Sequence, residues 1–216
     1  MMHPVLSMEP AAFGQFFDHT LLKPHATDAD FAAFCDEGIR FNVRMLAVNP
    51  AAVAFCKARV ADHGIHVGAA IGFPLGQSTL NTKRFETQDA IDAGSDEIDY
   101  VINIAQLRNG NLGYIRDEME AIVSLCRARS VICKVIFENC YLSDPEKIAL
   151  CQIANDVRPD FIKTSTGFGT GGATLADVRL MRQHTDPDIA IKAASAVRDL
   201  DTLIHMVDAG DRKSVV

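Results

Sequence analysis

The chain has 216 residues, 48% of them apolar and 23% charged, which suits one domain with a sizeable core and excludes a disordered tail, a collagen or a coiled coil. Its 21 Lys and Arg against 28 Asp and Glu leave a formal charge of −7, so the average field repels nucleic acid and acidic membrane surfaces. An anionic substrate must therefore meet a local positive site. The opening MMHPVLSMEPAAF lacks the basic start and unbroken apolar stretch of a signal peptide, and no run reaches the roughly 18 apolar residues of a membrane helix, so the chain reads as cytoplasmic. Six cysteines (Cys35, Cys56, Cys126, Cys133, Cys140, Cys151) are scattered without a CxxC pair and read as reduced core residues.

Short apolar runs alternate with amphipathic stretches along the whole length. Strands are predicted at 19–22, 45–48, 66–71, 97–102, 131–137, 160–163 and 188–193, with a weak eighth at 213–216. Helical spacing fills 28–37, 50–62, 82–93, 111–127, 144–157, 175–184 and 200–209. Ser143-Asp-Pro-Glu146 supplies a polar cap and an early proline, and Gly38, Gly94 and Gly210 are expected just past helix ends. This alternation, with no linker or shift in composition, predicts a single α/β domain over 1–216 with a parallel sheet. About eight units favour a (β/α)8 barrel over an open doubly wound sheet.

Parallel strands covered by helices are normally apolar throughout, yet four of these carry charge: Asp99, Lys134, Lys163 and Lys192. The three lysines recur every 29 residues, one strand-helix unit apart, so a repeating fold points them into one interior. Crowded, desolvated ammonium groups are costly, and both effects favour the neutral amine, which attacks aldehydes and ketones to form a Schiff base. Asp99 can balance charge and pass protons, while the small Ala190 and Ala194 beside Lys192 leave room for a ligand. The competing reading is that these are strand-end lysines reaching solvent, or paired with carboxylates such as Glu138.

Gly167-Phe-Gly-Thr-Gly-Gly172 formally fits a dinucleotide fingerprint, but five strand-helix units precede it, whereas such a fingerprint belongs to the first strand of its unit. Glycine-rich backbone before a helix also holds a single phosphate, as late barrel loops often do. The seven histidines show no HxH or HExxH spacing, and no GxSxG elbow is present.

Asp18-His-Thr-Leu-Leu-Lys-Pro24, Gly72-Phe-Pro-Leu-Gly76, Glu97-Ile-Asp-Tyr-Val-Ile-Asn103, Lys134-Val-Ile-Phe-Glu138 and above all Lys163-Thr-Ser-Thr-Gly-Phe168 run in order through nearly the whole chain. In these segments it resembles the deoxyribose-phosphate aldolases. The resemblance implies a (β/α)8 barrel and a class I, metal-free aldolase that needs no cofactor. Such an enzyme reversibly joins acetaldehyde and glyceraldehyde 3-phosphate into 2-deoxyribose 5-phosphate. It implies Lys163 as the Schiff-base lysine, Asp99 and Lys192 as the acid/base aspartate and the lysine that tunes it, and Asp18 and Thr20 as a polar pair of the pocket. Thr166, Gly167, Gly169 and Ser195 complete the expected substrate-binding set.

The chain departs from the family pattern twice. The usual Ala-Ser-Gly-Gly-Ile-Arg reads Ala193-Ala-Ser-Ala-Val-Arg198, putting Ser195 and Ala196 where paired glycines stand. The eighth strand is expected to be short or altered and its final helix absent. The expectation is an aldolase with reduced preference for the phosphate ester, with Arg212 or Lys213 as substitute cations. An open strand edge predicts a homo-oligomer or lower stability. The rivals are a non-catalytic sugar-phosphate-binding barrel and an NAD-dependent oxidoreductase.

Overall fold

The structure is a computed structural model that describes residues 8–212. Seven strands, β1 (Asp18–Leu21), β2 (Met45–Val48), β3 (His66–Ile71), β4 (Glu97–Val101), β5 (Ile132–Ile136), β6 (Phe161–Lys163) and β7 (Ala190–Lys192), form one sheet. They are parallel throughout and neighbours in space in the order of the chain. The crossovers carry α2 (Asp28–Phe41), α3 (Val53–Val60), α4 (Leu80–Asp92), α6 (Leu112–Ala128), α7 (Asp144–Val157) and α8 (Leu175–His184); α1 (Pro10–Gly14) precedes the sheet and α9 (Leu200–Ala209) follows β7. A short α5 (Ile104–Arg108) leads into α6. The strands and their covering helices make a (β/α)8-type barrel with a shortened eighth position.

The period-two alternation of the strands sorts their side chains into two environments. Val67, Ala69, Ile71, Ile98, Tyr100, Ile102, Cys133, Val135, Ile162 and Ile191 pack outward, against Phe34, Val53, Cys56, Ile115, Met119, Leu150 and Met181 of the helices. This outer layer is the hydrophobic core, and each fully buried aliphatic side chain in it contributes about 1.5–3 kcal/mol of transfer free energy. The opposite face of the sheet carries Met45, Asp99, Lys134, Lys163 and Lys192, all buried. Polar chemistry is thus held inside a shell whose stability comes from elsewhere.

The local signals act largely as expected. Ser143 and Glu146 form a capping box at the start of α7, and Gly94 and Gly210 adopt positive φ just beyond α4 and at the end of α9. Gly38 is a correction. It lies inside α2, which runs on to Phe41 and is ended by Asn42 in the left-handed conformation. A Cβ on Gly38 would sit 2.6 Å from Leu46 Cδ2, so that glycine serves the close approach of helix to strand rather than a turn. Helix 50–62 begins as a 3₁₀ turn (Pro50–Ala52), and α1, α5 and the 3₁₀ turn at Asn139–Tyr141 were not anticipated; all are too short to show a period. Five cysteines are buried as expected, but Cys140 is half-buried, and all six are free thiols.

The eighth position starts earlier than the sequence suggested. Asp211 bridges in parallel to Ile191, Arg212 N–H donates to the Ile191 carbonyl at 2.9 Å, and Asp211 Oδ1 accepts the Ala193 N–H at 2.9 Å. The strand expected at 213–216, and Lys213 with it, lie outside the described residues; among the described residues no helix follows α9.

Candidate active site

The three strand lysines do converge. Lys163 ends β6 in register with Lys192 at the end of β7, and Lys134 in β5 is in register with Asp99 in β4. Lys163 Nζ donates to Asp99 Oδ2 at 2.7 Å, Lys134 Nζ donates to Asp99 Oδ1 at 2.6 Å, and Lys192 Nζ stands 3.9 Å from Asp99 Oδ2. Lys192 also forms a close ion pair with Asp18, whose carboxylate is 3.5 Å from Lys134. Glu97 completes the cluster, with Oε2 2.5 Å from Lys134 Nζ.

The interior is therefore charge-balanced. Three ammonium groups (Lys134, Lys163, Lys192) face three carboxylates (Asp18, Glu97, Asp99), so the expected surplus of cations is corrected to 3 − 3 = 0. Buried charges are tolerable when paired in this way. The electrostatic result is a defined Asp99. Burial pushes its carboxyl up, but Lys134 and then Lys163 pull it down more strongly, and the net position is below the ordinary 3.8. Burial pulls Lys134 down, while Asp99 and Glu97 together hold it above the ordinary 10.5. Among the described residues Glu138 has no lysine partner: its carboxylate accepts from the N–H and the hydroxyl of Thr166, anchoring the turn after β6.

Of the clustered charges, Asp99 and Lys163 are the two that reach the cavity. That cavity is lined by Thr20, Ala47, Gly68, Ala70, Asp99, Lys163, Thr166 and Ser195 among others. Alanine and glycine on β2 and β3 leave the space, while a Cβ on Gly68 would strike Met45 Sδ at 2.4 Å. Asp18 is fully buried beneath, and Thr20, whose hydroxyl donates to the Asp18 carbonyl at 3.0 Å, is at the wall. Lys192 and Lys134 lie in the floor, fully buried, so that Lys163 is the amine presented to a ligand.

Above the cavity a wider mouth is lined by Thr166, the glycine-rich segment 167–172 and residues 195–198. Ser195 and Ala196 have φ of 58° and 144°, the backbone region that favours glycine, so the departure from the family pattern carries real strain. A Cβ on Gly172 would fall 1.3 Å from the Ser195 carbonyl oxygen, and one on Gly167 2.5 Å from Ser195 Oγ, so the two loops touch. Among the described residues the cation lining this mouth is Arg198. Arg212 is not part of that lining; it lies near Arg182, whose guanidinium is bonded to the carbonyls of Thr185, Asp186 and Ile189.

Sequence reasoning missed Glu97, Arg198 and a buried ion pair between Lys83 and Glu118. Glu97 was legible as a second acid on the face of Asp99, two residues away. Lys83 Nζ donates to the Val101 carbonyl at 2.6 Å and to Glu118 Oε1 at 2.7 Å, while Glu118 Oε2 accepts the Asn103 N–H at 2.9 Å. This pair ties α4 and α6 to the end of β4, the strand that carries Asp99.

A model of the DeoC/LacD family aldolases matches residues 13–209. The chain belongs to this aldolase family. It is 48% identical over 205 residues to a deoxyribose-phosphate aldolase from Bacteroides thetaiotaomicron, covering 95% of this chain and 85% of that one. It is 47% identical over 198 residues to one from Lactobacillus acidophilus, covering 92% and 84%. Among solved structures, a deoxyribose phosphate aldolase from Aeropyrum pernix, described as tetrameric, superposes with a TM-score of 0.88 at 26% identity, covering 96% of this chain and 88% of that one. Family membership accords with the barrel.

Proposed function

We propose that this aldolase cleaves 2-deoxyribose 5-phosphate reversibly to acetaldehyde and glyceraldehyde 3-phosphate through a Schiff base on Lys163. The observation that carries the reading is that Lys163, 6% exposed, is the lysine lining the cavity, with its Nζ on Asp99. The amine attacks the aldehyde carbon of the open-chain sugar and water leaves to give an iminium ion. Removal of the proton from the 3-hydroxyl breaks the C2–C3 bond, releasing glyceraldehyde 3-phosphate and leaving an enamine, with the iminium as electron sink. Reprotonation of that enamine at C2 and hydrolysis by water release acetaldehyde and the free amine. Asp99 Oδ2, which accepts the hydrogen bond of Lys163, is placed to take the proton the amine must lose, and Lys192 and bound water complete the proton path.

The phosphate end is assigned to the mouth formed by Gly167, Gly169 and their neighbours with Ser195 and Arg198. Ser195 lies beside Gly167, which supports a weakened preference for the phosphate ester, while Arg198 keeps the site cationic in place of the expected Arg212. We read 1–216 as one catalytic domain acting in the cytoplasm. Consistent with this, none of the helices among the described residues is long and apolar enough to cross a membrane. Homo-oligomerisation is supported by the tetrameric relative. Release of acetaldehyde from 2-deoxyribose 5-phosphate tests the reading: wild type releases it and Lys163→Arg does not, whereas equal release by both overturns it.

A further inference from the structure

His66 begins β3 at the end of the barrel remote from the cavity. Its Nδ1 lies 2.7 Å from Glu97 Oε1, and its ring is 28% exposed while Glu97 is fully buried. The other Glu97 oxygen is 2.5 Å from Lys134 Nζ, which donates at 2.6 Å to Asp99 Oδ1; Asp99 Oδ2 in turn accepts from Lys163 at 2.7 Å. An unbroken line of hydrogen bonds thus runs down the barrel interior from solvent at one end to the amine at the other. Every internal member is nearly or wholly buried, so each position depends on its neighbours and little on water.

We propose that His66 is a positioning residue of the aldol reaction, acting on Lys163 through Glu97, Lys134 and Asp99. This rests on Lys163 being the Schiff-base lysine. A carboxylate only accepts hydrogen bonds, so Nδ1 carries the hydrogen toward Glu97 and Nε2 faces the solvent side. With that donor in place Glu97 shares its charge between the imidazole and Lys134. Without it, Glu97 draws harder on Lys134, the bond from Lys134 to Asp99 slackens, and Asp99 holds its proton more tightly and grips Lys163 differently. The charged groups around the ring are Glu97, the ion-paired Lys57 and Asp96, Arg129 with its partner Asp92, and Lys134 beyond Glu97. Arg44, alongside at the start of β2, receives the His66 N–H on its backbone carbonyl. Lys57 and Arg129 thus have carboxylate partners of their own, and His66 is the donor aimed inward.

The test compares His66→Phe, which keeps a flat ring without the donor, with His66→Asn, which returns an N–H near the Nδ1 position. Wild type must first form an acetaldehyde adduct on Lys163 after borohydride reduction; absence of that adduct defeats the Schiff-base reading whatever His66 does. Given the adduct, His66→Phe is expected to lower kcat about tenfold with KM for the sugar phosphate changed less than about twofold, and to move the acid limb of the kcat profile up by roughly half a unit. His66→Asn is expected to recover most of the rate and the limb. Should His66→Phe not fold, His66→Gln, which moves its amide away from Glu97, stands in for it with the same expectations. An unchanged kcat and acid limb, or equal losses in the Asn and Phe variants, would overturn the proposal.

Discussion

Lys163 and Lys192 stand opposite each other in the register of β6 and β7, yet their ammonium groups keep different company. Lys163 Nζ donates to Asp99 at 2.7 Å and lines the cavity, while Lys192 is paired with Asp18 beneath the floor and 3.9 Å from the same Asp99 oxygen. On the proposed mechanism, two adjacent strands supply one lysine for capture of a carbonyl and one that shapes its field. Replacing Lys192 by Met should leave acetaldehyde trapping on Lys163 possible but slow turnover by about 10²-fold or more. Lys163→Met should abolish both. Single-turnover trapping beside steady-state rates separates the two outcomes, and indistinguishable variants would show that the lysines share one role.

Asp99 is expected to carry both activity and stability. Its folded value lies below the ordinary 3.8, so its contribution is present above that range and is lost as the pH falls through the folded value. Lys134 lies on the other side, above 10.5, so its contribution is complete below that pH and is lost as the pH rises through its folded value. Asp99→Asn leaves two buried ammonium groups around a neutral amide and should cost about 3–5 kcal/mol near pH 7. Urea midpoints at falling pH should show the gap to wild type beginning to close below pH 3.8, where the unfolded carboxyl takes up its proton, and closing further as the pH falls through the lower folded value. A gap independent of pH would contradict this assignment.

Lys83 and Glu118 form a fully buried pair away from the cavity, and burial pushes the lysine down and the carboxyl up. Lys83→Met alone strands a buried carboxylate, for which a loss of about 3–5 kcal/mol is expected. Adding Glu118→Gln should restore part of that loss, because the Asn103 N–H keeps an acceptor while the charge is gone. A double-mutant cycle read by denaturant midpoints checks it. Strict additivity would show that the pair is not coupled.

Ser195 and Ala196 hold positive φ that glycine would adopt without strain. Changing both to glycine should stabilise the fold by about 1–2 kcal/mol, since strained backbone of this kind costs of order 1–3 kcal/mol per residue. It should also raise kcat/KM for 2-deoxyribose 5-phosphate relative to 2-deoxyribose, because Ser195 Oγ no longer crowds Gly167. An unchanged ratio would separate the loop substitutions from phosphate selectivity.

The alternation of strands and helices was legible because each strand's outer face is continuous hydrocarbon and each helix repeats its apolar stripe. The lysines at 134, 163 and 192 stood out against that background for the same reason. Asp99 was legible as one balancing charge, but the full neutralisation was not, since Asp18 and Glu97 come from β1 and β4, and pairing across a barrel depends on closure rather than on sequence distance. Gly38 misled because a glycine used for helix-strand contact looks the same in one dimension as a glycine that ends a helix. Arg198 was passed over for Arg212 because both follow the last regular strand, and only the fold turns the first toward the mouth.

The central claim is that Lys163 is the amine that captures the substrate carbonyl. The most direct measurement is borohydride reduction of the protein in acetaldehyde, followed by peptide mass analysis. The account predicts one ethyl group on Nζ of Lys163, absent when borohydride is omitted and absent in Lys163→Arg. An ethyl group on Lys134 or Lys192 instead, or no stable adduct in a preparation that turns over substrate, would contradict it.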